Sequence, residues 1–249
     1  MFNGYKRQIS KKVKKIVITP TYNESKNILT LINRIKDNVN DIDILVIDDN
    51  SPDGTSDIVA KFAESRNDIF LITRDGKLGL GTAYIEGFKW ATQNNYDIVI
   101  QMDADLSHDP KDLPRMLQAI KDYDLVIGSR YIDGVNVINW PMSRLLLSYF
   151  ANIYSRIVTG LPIYDSTGGF KCYSINVLKN MPYKFIKSEG YSFQIETTFY
   201  SWINKYNIKE IPIIFTDRTI GESKMNKKII YEAVWIVLKL RLRRLFRFI

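Results

Sequence analysis

Only one cysteine and one histidine occur in the 249 residues, Cys172 and His108. A single cysteine excludes an intrachain disulfide and suits a reducing compartment. Cys172 reads as buried filler rather than as a nucleophile. A metal ligand at His108 would need partners of its own kind nearby, so this residue is expected to be structural or to cap a helix. Long apolar runs are missing too. No stretch approaches the roughly 20 apolar residues that span a bilayer. The longest candidates, Leu145–Tyr149 and Ala233–Leu238, are short and flanked by Arg or Lys. Met1 to Lys15 is polar and basic, without the apolar segment of a secretory signal. No acid follows Glu232, whereas Lys239, Arg241, Arg243, Arg244 and Arg247 do. Repeats, low-complexity tracts and linkers are absent.

The composition that remains is that of a folded protein with a substantial core, 45% apolar and 25% charged. A net charge of +8 biases the surface toward anionic partners: nucleic acid, a membrane surface or phosphorylated substrates. Nucleic acid is not expected, because aromatic residues do not interleave with a basic groove in any recognisable motif.

Strand and helix patterns alternate through the first half. Apolar runs at Ile16–Thr19, Ile42–Ile47, Ile69–Thr73, Ile98–Met102 and Leu125–Ile127 read as strands. Between them, Ile28, Leu31, Ile32 and Ile35 recur at helical spacing, and Thr55–Glu64, Thr82–Gln93 and Pro110–Asp122 read as further helices. Strands rich in β-branched residues with little alternation are buried on both faces, so a doubly wound α/β fold with a mostly parallel sheet is expected. The second half carries predicted helices at Met142–Thr159 and Phe193–Tyr206, a predicted strand at Ile208–Phe215, and a basic, apolar tail from Lys227.

Ligands of open parallel sheets bind beyond the carboxyl ends of the strands. Three of those ends carry polar clusters: Thr19–Glu24, Asp48–Ser51 and Asp103–Asp105. Helix capping or turn formation accounts for any one of them; all three on one edge build an acidic rim. Asp103 and Asp105 are two apart, which in extended chain puts both carboxylates on one side. Such a pair suits Mg²⁺ or Mn²⁺, which take oxygen ligands and are commonly held by one or two carboxylates plus substrate phosphates. The Gly-rich segment Arg74–Gly81 enters a helix and reads either as a close approach to phosphate or sugar or as a flexible connection. It lacks the ending of a P-loop. Arg130, Arg144, Arg218 and Lys224 sit at element ends or in loops, where arginine is a preferred phosphate ligand.

These motifs, in order, resemble the dolichyl-phosphate (polyprenyl-phosphate) mannosyltransferases, a branch of the inverting GT-A glycosyltransferases. They include P-T-Y-N-E at Pro20–Glu24, D-D-N-S-P-D-G-T at Asp48–Thr55, G-L-G-T-A-Y at Gly79–Tyr84 and M-D-A-D-L-S-H-D-P at Met102–Pro110. G-S-R-Y at Gly128–Tyr131, N-W-P-M-S-R at Asn139–Arg144, S-T-G-G-F-K-C-Y at Ser166–Tyr173, G-Y-S-F-Q-I-E at Gly190–Glu196 and R-T-I-G-E-S-K at Arg218–Lys224 complete the series.

The resemblance implies that Pro20, Tyr22, Glu24, Ile47 and Asp49 hold the base and ribose of GDP-mannose. Asp103 and Ala104 would line the nucleotide, with Asp105 the chief ligand of Mg²⁺ or Mn²⁺ and Asp103 beside it. Arg218 and Lys224 would clamp the diphosphate, while Arg130 and Arg144, with Ser148, would receive the acceptor phosphate of a dolichyl or polyprenyl chain. Asp105, Arg130 and Arg144 would form the catalytic set, and Glu196 would orient the sugar or an arginine. The same reaction with UDP-glucose or a UDP-N-acetylhexosamine is the alternative. Residues 1–226 would form the GT-A domain, including an interface helix near 142–159, and 227–249 a basic amphipathic helix for membrane or partner contact. The resemblance is to a short branch without C-terminal transmembrane helices. It implies peripheral attachment to the cytosolic face of a membrane, the plasma membrane in a prokaryote or the endoplasmic reticulum in a eukaryote, either directly or through small membrane-embedded partner subunits.

Overall fold

The computed structural model describes residues 12–217 and 227–246. The first half is the alternation the sequence predicts. Strands β1 (Lys15–Thr21), β2 (Asp43–Asp48), β3 (Ile69–Thr73) and β4 (Ile98–Gln101) are separated by helices α1 (Ile28–Asn38), α2 (Thr55–Ala63) and α3 (Leu80–Gln93). A short 3₁₀ turn at Pro110–Asp112 leads into α4 (Leu113–Ala119), and β5 (Leu125–Ser129) follows. The predicted single helix from Pro110 is interrupted because Pro114 has no N–H to give the Pro110 carbonyl; Leu113 N–H donates to it instead.

The second half holds β6 (Val137–Ile138), α5 (Met142–Thr159), β7 (Lys171–Ser174), α6 (Ile175–Lys179), α7 (Gly190–Ile203), β8 (Ile208–Pro212), β9 (Phe215–Thr216) and α8 (Lys227–Phe246). Seven strands form one sheet in the order β3-β2-β1-β4-β7-β5-β8. All its pairings are parallel except those of β7, which runs antiparallel between β4 and β5. The sequence does not announce β7. The predicted strand Ile208–Phe215 divides after Pro212: its first part completes the large sheet, and Phe215–Thr216 pairs with β6 in a separate ribbon.

Alternation along β1 shows how the core is divided. Ile16 and Ile18 point to one face, with Leu45, Ile47, Phe88, Phe193 and Tyr200. Val17 points to the other, with Ile44, Val46, Ile100, Ile28, Leu31, Ile32 and Ile35. Helix α3 lies close on the first face at Gly87, where a Cβ would stand 2.6 Å from Ile18 Cγ2 and 2.7 Å from Ile47 Cδ1. Helix α8 packs on α7 and α5, with Val237 and Leu240 fully buried in the same core. Its other side exposes Tyr231, Trp235, Leu242, Leu245 and Phe246, as α5 exposes Met142, Leu146, Phe150 and Ile157. Among the described residues no helix is long and apolar enough to cross a membrane.

Candidate active site

The carboxyl ends of β1, β2 and β4 converge on a cleft of about 430 Å³. Of the residues singled out from the sequence, Pro20, Tyr22, Glu24, Asp49, Asp103, Ala104, Asp105, Arg130 and Arg144 line it. Ile47 does not: its side chain is fully buried beneath α3, against Gly87, so only its backbone belongs to the strand end. Ser148 lines a neighbouring cavity and accepts a hydrogen bond from Tyr131 Oη at 2.8 Å. Arg218 and Lys224 lie outside the described residues.

The two aspartates that end β2 have separate tasks. Asp48 locks the strand ends, accepting from Thr21 Oγ1 at 2.7 Å and from Ser51 N and Oγ at 2.8 and 2.6 Å. Asp49 is buried against the Arg74 guanidinium, whose Nε donates to Oδ1 at 2.5 Å. Its Oδ2 accepts from Leu78 N and Gly79 N at 3.1 and 3.2 Å. The Gly-rich segment is therefore anchored, not a slack connection. Its amides are already committed to carboxylates of the protein, Asp49 and, through Gly81 N at 2.8 Å, Glu189. They are not presented to a phosphate in this state.

Beyond β4 the chain turns instead of staying extended, and Leu106 takes φ 62°. Both carboxylates of the triplet nevertheless reach the cleft. Tyr84 Oη donates to Asp103 Oδ1 at 2.7 Å, and Ser107 N and Oγ donate to Asp105 Oδ1 at 3.1 and 2.5 Å. Among the described residues no group of three or more His, Cys, Asp or Glu side chains is placed to hold a metal. Asp103 and Asp105 offer hard oxygen donors on one cleft wall. That fits a Mg²⁺ or Mn²⁺ ion completed by substrate phosphates, and not a closed protein cage. His108 also lines the cleft, but its side chain is almost wholly buried, stacked on Phe170 and edge-on to Phe215. Burial, with the nearby Arg130 charge, lowers its pKa to about 4, so the ring is neutral at pH 7. The capping role considered for His108 falls to Asp109, which accepts from Lys111 N at 3.1 Å.

The two arginines assigned to an acceptor phosphate are held differently. Arg130 is nearly inaccessible, and its Nε and Nη2 each donate to Asp165 at 2.7 Å. Burial alone would push the Asp165 pKa up, but the Arg130 guanidinium keeps it below the usual carboxylate range. Asp165 is fixed in turn by Glu210, which accepts from Tyr164 N and Asp165 N at 2.8 Å each. Arg130 is thus not a loose cation awaiting phosphate; its charge is largely offset. Arg144 Nη1 bonds both oxygens of Asp217 at 2.8 and 2.9 Å, and the guanidinium lies 4.3 Å from the Trp140 ring centre. Arg144 Nε and Trp140 Nε1 are buried with no acceptor among the described residues.

A second cavity of about 200 Å³ opens between α5, α7 and α8, lined by Trp140, Leu147, Phe150, Ala151, Tyr154, Ile195, Val234 and Val237 among others. It meets the first at Arg144, Thr167 and Tyr191, which line both. Trp140 and Tyr191 fall inside quoted motifs but were not singled out; nothing in the sequence marks Asp165 as the partner of Arg130. Of the two roles expected for Glu196, beside the sugar or beside an arginine, its position favours the second: it is fully buried in α7 and lines neither cavity, Ser188 Oγ donates to it, and the Arg243 and Lys239 charges of α8 lie near.

A parallel sheet whose carboxyl edge gathers an acidic rim over such a cleft is the architecture of a GT-A glycosyltransferase. The chain belongs to glycosyl transferase family 2, whose sequence profile matches residues 16–181. It is 42% identical over 219 residues to an undecaprenyl-phosphate mannosyltransferase of Micrococcus luteus, covering 88% of this chain and 90% of that one. It is equally 42% identical over 224 residues to a polyprenol monophosphomannose synthase of Mycolicibacterium smegmatis, covering 89% and 84%. Among solved structures, glucosyl-3-phosphoglycerate synthase of Mycobacterium tuberculosis with Mn²⁺, uridine diphosphate and phosphoglyceric acid superposes with a TM-score of 0.69 at 16% identity, covering 92% and 79%. A mannosyltransferase of Pyrobaculum calidifontis with GDP-Man and Mn²⁺ gives 0.57 at 16% identity, covering 92% and 73%.

Proposed function

We propose that this glycosyltransferase moves mannose from GDP-mannose to a dolichyl or polyprenyl phosphate, with inversion at the anomeric carbon. One observation carries the reading: a polar, acid-rimmed cleft and an apolar cavity meet at Arg144. A water-soluble nucleotide sugar suits the first and a hydrocarbon chain the second, so a phosphate joined to that chain comes to the arginine at their junction. The two mannosyltransferase relatives support the choice of sugar and lipid.

The residues divide the work. Pro20, Tyr22, Glu24 and Asp49 hold the nucleotide, Asp49 also fixing the Gly-rich loop. Asp103 and Asp105 would hold Mg²⁺ or Mn²⁺, which would offset the charge that builds on the leaving diphosphate. Arg218 and Lys224 clamp that diphosphate, and Arg144 receives the incoming phosphate, with Arg130 set rigidly behind it by Asp165. Ser148 lies in the apolar cavity below. A phosphate monoester has its second pKa near ~6, so at neutral pH the acceptor is already mostly dianionic and needs no general base. The buried position of Glu196, away from both cavities, accords with that. Catalysis then rests on positioning and charge stabilisation.

The helix from residue 227 and the outward side of α5 attach the protein peripherally to the cytosolic face of a membrane or to a small membrane-embedded subunit. The exposed apolar residues of α8 and α5 support this, with Lys239 and Arg241 as the available charges, each basic residue near an anionic leaflet contributing ~1 kcal/mol; Arg243 and Arg244 are turned inward to Tyr200 and Thr159. Purified protein with polyprenyl phosphate and a panel of labelled nucleotide sugars tests the whole reading. Lipid-linked product from GDP-mannose, abolished by chelation, is expected. Transfer from a UDP-sugar alone would overturn the donor assignment.

A further inference from the structure

Two carboxylates line the cleft without a role in the scheme above, Glu189 and Glu232. They come from different elements. Glu189 immediately precedes α7, and its Oε2 accepts from Gly81 N, in the first turn of α3, at 2.8 Å. The same carboxylate closes the space over Gly79, where a Cβ would stand 2.5 Å from Oε2 and 2.7 Å from Oε1. Glu189 and Asp49 therefore hold neighbouring parts of one loop, residues 78–81. The backbone N–H of Glu189 donates to Glu232 Oε1 at 3.2 Å. Glu232 belongs to α8, whose outward side carries Trp235 at 71% exposure.

We propose that Glu232 is a positioning residue for donor binding. By holding the start of α7 it seats Glu189 against the 78–81 loop, so the shape of the cleft depends on α8 being docked. The helix assigned to surface attachment is on its inner side also a wall of the active site. Whatever loosens α8 then acts on nucleotide affinity through one hydrogen bond. The inference rests on the reading of the cleft as the donor's site.

The test uses the purified full chain and calorimetric titration with GDP. Wild type without GDP affinity would refute the donor reading itself, separately from this inference. Given binding, Glu232→Ala is expected to raise the GDP Kd about tenfold, the scale of one hydrogen bond to an ionised acceptor. Glu232→Gln keeps an oxygen acceptor and is expected to stay within about twofold of wild type. In hydrogen exchange, amides around 188–192 should open faster in Glu232→Ala and not in Glu232→Gln. Trp235→Ser, on the outward side, should weaken binding to anionic vesicles and leave GDP affinity unchanged. Wild-type GDP affinity in Glu232→Ala, equal loss in Glu232→Gln, or unchanged exchange at 188–192 would each overturn the assignment.

Discussion

Replacing Asp165 by Asn should cost more stability than any other single acid-to-amide change described here. The carboxylate is fully buried and serves four donors: Arg130 N at 2.9 Å, Arg130 Nε and Nη2 at 2.7 Å each, and Thr167 Oγ1 at 3.2 Å. Asn offers one acceptor oxygen and turns an N–H₂ toward the remaining arginine donor. The guanidinium, equally buried, then has no counter-charge. Removing one partner of a buried ion pair typically costs ~3–5 kcal/mol. With a urea m-value of about 3 kcal/mol/M, the high end for small proteins, the midpoint falls by more than about 1 M. The sign of the pH dependence follows from the carboxyl's depressed pKa. A group whose folded pKa lies below its unfolded value, about 3.9 for Asp, contributes stability that is present above that value and lost as pH falls through the folded one. The gap between wild type and variant should thus be constant from pH 5 to 8 and close in stronger acid. Asp217→Asn, which loosens the less buried partner of Arg144, is the control and should cost less, because both side chains of that pair keep some access to water. A loss below about 1 kcal/mol for Asp165→Asn, or one no larger than the control's, would refute the argument that burial makes the Arg130 pair decisive.

Three further outcomes are expected. Asp105→Asn should abolish transfer while leaving thermal unfolding within a few degrees of wild type; normal turnover would remove the metal assignment. Arg144→Ala should raise the KM for the lipid phosphate about tenfold or more and change that for GDP-mannose less than about twofold; equal loss of both in steady-state assays would mean that the acceptor site is misplaced. Gly87→Ala should drive a methyl into Ile18 and Ile47, costing ~1–3 kcal/mol by overpacking. In a calorimetric scan that is a Tm lower by roughly 2–4 °C per kcal/mol for a chain of this size, and an unchanged Tm would mean that α3 is free to lift off the sheet.

Local patterns told most about the nucleotide half. Each strand from β1 to β4 is a short apolar run that ends in polar residues, and the helices between them carry their own periodicity. Even α5 spans the predicted Met142–Thr159. The pattern failed where a few residues are committed by distant partners. Lys171–Ser174 is only four residues long and becomes a strand because β4 and β5 leave a gap that it fills. Ile213 still donates its N–H to Ser129 O at 3.0 Å, and only beyond it do Phe215 and Thr216 pair with Val137 and Ile138 instead. In the site, the acidic rim was legible because strand ends lie side by side in a parallel sheet. The Asp165 clasp on Arg130 and the α8 charges beside Glu196 depend on contacts 35 or more residues away, between elements whose packing no local periodicity encodes.

The antiparallel course of β7 has a topological consequence. Strand β5 leaves the sheet at Ser129, and β7 re-enters it at Lys171, paired to Ile127 on the adjacent strand. The excursion between them carries Trp140, Arg144, Ser148, Tyr154 and Thr167, and so most of the polar residues that line the second cavity. It departs and returns at one edge, like an oversized hairpin loop. Insertions in its exposed turns can therefore be absorbed without shifting the register of any strand that carries the acidic rim, so long as the Asp165 clasp on Arg130 is kept. The fold is modular in this sense: the strand ends that build the acidic rim and the excursion that builds the second cavity are separate stretches of chain, joined at one end of the sheet.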